Sequence, residues 1–186
     1  MPIKSDRWIK KMSQEHGMIE PFADRQVRAG AVSFGVSSYG YDFRISNEFK
    51  LINQDMQGLI LDPKSIQPDA FKTVKTDDYI ILPAQAYVLS RSIEYFRIPR
   101  NILTICFGKS TYARCGVVVN ITPFEPEWEG FVTMAISNTS ALPVKLYANE
   151  GIAQLLFLES DSICEISYAD KKGKYQKQDK IELAKV

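Results

Sequence analysis

The sequence predicts a mainly β fold, a sandwich or barrel with only short helices. Three observations carry that prediction. Short apolar runs recur along the chain, at 59–61, 79–82, 86–89, 102–107, 117–121, 131–136, 144–147 and 152–158. Pro63, Pro83, Pro99, Pro123, Pro126 and Pro143 fall between these runs or at their ends, where a residue without an N–H is tolerated. Helical periodicity is confined to the start of the chain. Many short strands at close spacing with few helices is the pattern of a sandwich or barrel.

The elements follow in order. Ser5 can cap a short helix within residues 1–20, with Asp6 in its first turn, Trp8, Ile9 and Met12 on one face, and Gly17 as the stop. Pro21 ends any continuation. After the turn Ser37-Ser38-Tyr39-Gly40, the apolar Tyr41, Phe43 and Ile45 alternate with Asp42, Arg44 and Ser46, as in a half-buried strand. In the strand Phe131–Ser137, Val132, Met134 and Ile136 share an apolar face, and Thr133, Ala135 and Ser137 share a small, polar one. Residues 171–180 carry five lysines and one aspartate with no apolar face, which on its own predicts a mobile tail. No internal repeat or linker divides the 186 residues, so the chain reads as one domain, 1–186.

Composition narrows the function. Hydrophobic residues make up 45% and charged residues 24% of the chain, and no apolar run approaches the ~18 residues of a membrane span. With 23 Lys+Arg against 22 Asp+Glu, a nucleic-acid or other polyanion-covering surface is disfavoured, whereas a local basic pocket is not. The amino terminus lacks the apolar segment of a secretory signal. Three widely spaced cysteines, Cys106, Cys115 and Cys164, fit a reducing cytoplasm better than a disulfide framework.

A single histidine, His16 near the end of the first helix, argues against Ser-His-Asp or Cys-His catalysis and against a histidine-rich metal site. The zinc deaminase signature H-x-E followed by P-C-x-x-C is absent. Gly108-Lys109-Ser110 resembles the end of a phosphate-binding P-loop, but Leu103 stands where its first glycine is required. The informative stretch is Gly108–Gly130. Ser110 and Arg114 are four apart, so one helical turn aims hydroxyl and guanidinium the same way, and Lys109 to Arg114 suits phosphate oxygens. A capped surface helix fits that composition equally well. Ala135 is the one member of its strand face without a functional group; a small residue there leaves room for a ligand or a neighbouring strand.

The segments SSYGYDFR at 37–44, EYFRIPRNILTICFGKSTYARCG at 94–116, NITPFEPEWEGFVTMAISNTS at 120–140 and EGIAQLLF at 150–157, with Tyr168, Lys174-Tyr175 and Gln178 in the tail, resemble the dCTP deaminases. The likeness spans nearly the whole chain. It implies a distorted β-barrel or jelly roll of the dUTPase type, a homotrimer with active sites between subunits, and a C-terminal lid over about 168–186. The implied activity is zinc-independent deamination of dCTP to dUTP and ammonia in pyrimidine deoxynucleotide supply. The implied partners are dCTP, dUTP and dTTP as a candidate inhibitor, with Mg²⁺ carried in by the triphosphate.

The same resemblance assigns the residues. Ser110 orients the attacking water with a carbonyl near Thr122–Pro123, and Arg114 favours the ionised form of a neighbouring carboxylate. Lys109, Thr111, Tyr112 and Ala113 line the nucleotide site beside them. Main-chain groups of Thr133, Met134 and Ala135 read the base, while Gln154, Tyr168, Lys174 and Gln178 hold sugar and triphosphate. Family strands read like V-T-L-E-F-S-N-T, and the catalytic glutamate of that pattern is Ala135 here. With its surroundings intact, the site reads as one introduced change that leaves an inactive, nucleotide-binding variant; a natural non-catalytic relative is the alternative. Two further alternatives stand beside it. Glu125, just before the turn at Pro126-Glu127-Trp128, allows a bifunctional enzyme that carries dCTP to dUMP. A carbohydrate-binding sandwich accounts for Trp128 and the tyrosines as stacking surfaces, but leaves the Lys109–Arg114 segment unexplained.

Overall fold

A computed structural model describes residues 2–53, 55–56 and 58–186. The first helix, α1 (Asp6–His16), ends as its sequence predicts: Gly17 takes φ 62°, its N–H bonds the Ser13 carbonyl at 3.1 Å, and the Met18 N–H bonds that of Met12 at 3.2 Å. Ser5 occupies the N-cap, but its hydroxyl makes no capping bond. Ile9 is fully buried beneath the helix.

The strands are β1 (Ile19–Glu20), β2 (Gly35–Ser37), β3 (Gly40–Ile52), β4 (Phe71–Lys75), β5 (Tyr79–Leu82), β6 (Tyr87–Arg97), β7 (Ile102–Gly108), β8 (Val117–Asn120), β9 (Glu129–Asn138), β10 (Val144–Tyr147) and β11 (Gly151–Glu159). One antiparallel sheet runs in the order β7-β11-β3-β6-β9-β8, with β1 on β6 and both β2 and β4 on β3, while β5 and β10 form a separate ribbon. The two edges of the large sheet approach each other: a Cβ on Gly108 of β7 would stand 3.3 Å from the Val119 side chain of β8. The sheet therefore curls into a nearly closed barrel around Tyr41, Phe43, Phe49, Phe96, Met134 and Phe157, all fully buried. Each such side chain contributes roughly 1.5–3 kcal/mol of hydrophobic stabilisation.

Most of the apolar runs are strands, with two differences. The run 59–61 lies outside any strand, with Ile60 84% exposed, because no neighbouring strand offers a face for it. β4 and the polar half of β6 carry no apolar run; pairing partners on β3 and β9 hold them extended. β3 also departs from simple alternation, since Asp42 and Ser46 are buried along with Tyr41, Phe43 and Ile45. At the centre, the fully buried Glu94 receives the Arg44 side chain at 2.8 Å and the Arg44 amide at 2.9 Å. Loss of water outweighs the pull of Arg44 and raises the Glu94 pKa. No helix is long and apolar enough to cross a membrane among the described residues.

Candidate active site

Strand β9 sets the site. Its inward side chains, Val132, Met134 and Ile136, belong to the core, and Thr133, Ala135 and Ser137 face outward half-buried. β8 covers one edge of β9 only as far as Asn120, opposite Ala135. Further along the same edge Gln178 bridges to Gly130, and the Phe131 N–H bonds its carbonyl at 2.9 Å. Between these points the edge of β9 has no strand partner among the described residues. The Val132 N–H bonds Ser92 Oγ on the β6 side, so strand alternation turns the N–H and C=O of Thr133 toward the open edge.

A cavity of about 680 Å³ opens at that gap. Leu103, Ile121, Phe124, Trp128 and Val132 form its apolar wall, Thr122 and Pro123 its rim, and Tyr168, Lys174, Tyr175, Gln178 and Glu182 its far side. The far side is the C-terminal segment, which packs against the barrel instead of hanging free as a tail. Trp128 Nε1 donates to the Tyr175 carbonyl at 2.8 Å, Gln176 Nε2 to the Glu127 carbonyl at 2.8 Å, and Lys177 N to the Glu129 carbonyl at 2.8 Å. Thr133 Oγ1 donates to Gln178 Oε1 at 2.9 Å and accepts from the Glu182 N–H at 3.1 Å. Tyr168 OH accepts from the Tyr175 N–H at 3.0 Å, and Ile181 is 3% exposed. A lysine-rich composition conceals this anchoring because these bonds are made by main-chain groups and by five uncharged side chains, Trp128, Thr133, Tyr168, Gln176 and Gln178.

A family model described as dCTP deaminase-like matches residues 3–160. The chain belongs to that family. Among its relatives, the dCTP deaminase of Acidobacterium capsulatum is 60% identical over 186 residues, the full length of both chains. That of Chlamydia felis is 60% identical over 187 residues, covering 97% of each. In fold the chain is similar to the 2′-deoxycytidine 5′-triphosphate deaminase of Agrobacterium tumefaciens, with a TM-score of 0.63 at 11% identity over 83% of this chain and 47% of that one. The chain spans about half the length of that structure.

Within this dCTP deaminase-like chain the expected site residues fall into three groups. Thr133, Tyr168, Lys174 and Gln178 meet at the cavity, and Ala135 is two residues from Thr133 on the same face, ~6.7 Å along the strand, without lining the cavity. The second group is the single turn α2 (Ser110–Ala113) with Arg114, whose Nη1 donates to the Ser110 carbonyl at 3.0 Å. Thr111, Tyr112 and Arg114 border a different cavity, of about 610 Å³, with Leu142 to Lys145 opposite. In the third group, Lys109 is paired with Asp42 at 2.6 Å, and Gln154, cross-strand from Asp42, donates to Ser37 Oγ at 3.1 Å. Gln154 thus stands with Lys109 and apart from Tyr168, although the resemblance had grouped it with the tail.

Two expected contacts are restricted by packing. Tyr112 is 4% exposed, its hydroxyl receiving the Tyr147 N–H at 3.0 Å and its pKa pushed up to about 12 by burial. Met134 is fully buried. With its side chain in the core, Met134 offers a ligand only main-chain atoms, as the resemblance implies, whereas Tyr112 still borders the second cavity.

The charges sort the cations. Lys171 is paired with Glu125, Lys177 with Glu129, Lys185 with Glu182, and Arg100 with Glu127 and Asp170. Lys174 instead donates to the Lys185 carbonyl, and neither it nor Arg114 has a carboxylate partner among the described residues. Asp42 and Glu182 were not anticipated from sequence. The strand alternation marks Asp42 as polar without showing that Lys109 and Gln26 close over it, and the alternation of Ile181, Glu182 and Leu183 is the only local sign of an anchored terminus. Burial pushes the Cys106 thiol up to about 12, leaving it protonated and unreactive at neutral pH. Among the described residues no three His, Cys, Asp or Glu side chains stand close enough to hold a metal ion.

Proposed function

We propose that this chain binds dCTP in a cleft shared by two subunits of a homotrimer, and that Ala135 slows its hydrolytic deamination to dUTP and ammonia. The observation that carries the reading is the open edge of β9 beside Ala135, with Thr133 presenting main-chain groups next to a cavity lined by Tyr168, Lys174 and Gln178. An edge N–H and C=O match the donor and acceptor of a cytosine, and Lys174 offers an uncompensated charge for a phosphate oxygen. Arg114, bonded to the Ser110 carbonyl, borders a separate cavity of the same chain, and neither residue lines the β9 cavity; on this reading a second subunit supplies both to the first subunit's β9. Leu89, Val118 and Ala135 on the outward face of the sheet give that contact an apolar surface; Val118 is 50% exposed.

In the reaction, water adds to C4 of the base and ammonia departs. Ser110 orients the water with a carbonyl at Thr122–Pro123, and Mg²⁺ enters with the triphosphate as part of the substrate. A carboxylate at position 135 would relay protons among water, N3 and the leaving nitrogen. Without it, turnover falls by roughly 10²–10⁴, or about 3–5.5 kcal/mol of transition-state stabilisation, while most binding contacts remain. Calorimetry with dCTP tests binding, and ammonia release tests chemistry. Ala135→Glu is expected to raise turnover at least ~100-fold. Absence of dCTP binding, or no gain in that variant, overturns the reading.

A second reading, carriage of dCTP through to dUMP, draws on Glu125 in the cavity lining. Product analysis of Ala135→Glu separates dUTP from dUMP plus pyrophosphate. A non-catalytic nucleotide-binding module predicts binding with no restorable chemistry, and dTTP competition with bound dCTP tests for an inhibitor.

A further inference from the structure

With nucleotide binding at this cavity as the premise, we propose that Glu182 is a second catalytic carboxylate, contributed by the C-terminal segment, and that it carries the proton transfers still available in the absence of a carboxylate at position 135. Glu182 is held over the same outward face of β9. Its N–H bonds Thr133 Oγ1 at 3.1 Å, and Thr133 is the neighbour of Ala135 on that face. Its side chain is 14% exposed and lines the cavity. Lys185 Nζ lies 2.7 Å from Oε2, which fixes the carboxylate, and Oε1 has no hydrogen-bond partner among the described residues. Glu125, the other carboxylate of the lining, is 41% exposed and engaged by Lys171, and it has no link to β9.

The placement suits the chemistry. The water oxygen bonds to C4 while its first proton passes to the Glu182 carboxylate and on to N3. The second proton leaves the new C4 hydroxyl and reaches the amino nitrogen by the same carboxylate. The C4–N bond then breaks, ammonia departs, and the C4 carbonyl forms with N3 protonated. Both protons of water are accounted for, and Glu182 ends as it began. A group on the C-terminal segment is less firmly held than one on a barrel strand, so its rate lies below that of a strand-borne glutamate.

The test measures ammonia release at saturating dCTP, with calorimetric affinity, for the intact protein and for Glu182→Gln. Expected is at least a ~10-fold loss of rate with a dCTP affinity within ~3-fold of the parent. In the Ala135→Glu background the loss from Glu182→Gln should be at least ~10 times smaller, because the strand carboxylate takes over. An unchanged rate overturns the proposal. So does bound dCTP with no ammonia release by the parent, or an equal loss in both backgrounds, which is the signature of a packing role. Failure of the parent to bind dCTP removes the premise and this proposal with it.

Discussion

Lys174 and Arg114, unlike Lys171, Lys177 and Arg100, have no carboxylate partner among the described residues, and each lines a cavity, Lys174 the one at β9. A lysine already held by a surface glutamate gains little by turning to a ligand, since it must first give up its partner. One whose ammonium rests on a main-chain carbonyl can exchange that contact for a phosphate oxygen, and a hydrogen bond to a charged group contributes about 1.5–3 kcal/mol. Lys174→Met is therefore expected to weaken dCTP binding by roughly tenfold to a hundredfold in calorimetry. Lys177→Met, which loses only a surface pair with Glu129, should change it by less than about fivefold.

The C-terminal segment is the element on which the cavity depends, and two features hold it. Gly130 has φ 145°, and a Cβ there would lie 2.7 Å from the Gln178 backbone nitrogen, so strain and a main-chain clash coincide. Gly130→Ala is expected to lift residues 168–186 from the barrel. Limited proteolysis should then cut within the segment faster than in the parent, with dCTP affinity falling alongside. At the other end, Asp170 accepts the Ser167 N–H at 3.0 Å and pairs with Arg100 at 2.8 Å, and these contacts lower its pKa, the Ser167 bond most of all. A carboxylate lowered on docking stabilises the docked form above its ordinary value of 3.8, and that stabilisation is lost as pH falls through the lower, docked value. Proteolytic protection of the segment should accordingly be level near neutrality and decline below about pH 4, with Asp170→Asn flattening the decline.

For the whole molecule, the separation of the Ser110–Arg114 turn from the β9 cavity within one chain has a direct consequence. If each site draws its halves from two subunits, neither Arg114→Ala nor Lys174→Met homotrimers hold a complete site, yet mixed trimers do. Dissociating and reassociating the two variants in equal amounts should restore tight dCTP binding at about a quarter of sites, because each half is drawn independently. Light scattering should report a trimer in every case. No recovery on mixing would mean that each chain builds its site alone.

The sequence by itself determined the β architecture, most strand positions, the first helix and its glycine stop, and the two faces of β9. These are local matters of alternation, proline placement and turn chemistry, and they are written in neighbouring residues. The resemblance of its motifs then carried the family. Only the tertiary structure decided that residues 171–180 lie bound against the barrel, that Tyr112 turns inward, that Lys109 is held by Asp42, and that Glu182 enters the cavity. Each of these depends on atoms far apart in the chain: Trp128 on Tyr175, Lys109 on Asp42, Thr133 on Glu182. A pattern of residue types records which side chains are polar. Which of them are already satisfied by a distant partner, and which remain free for a ligand, is settled only when the barrel closes.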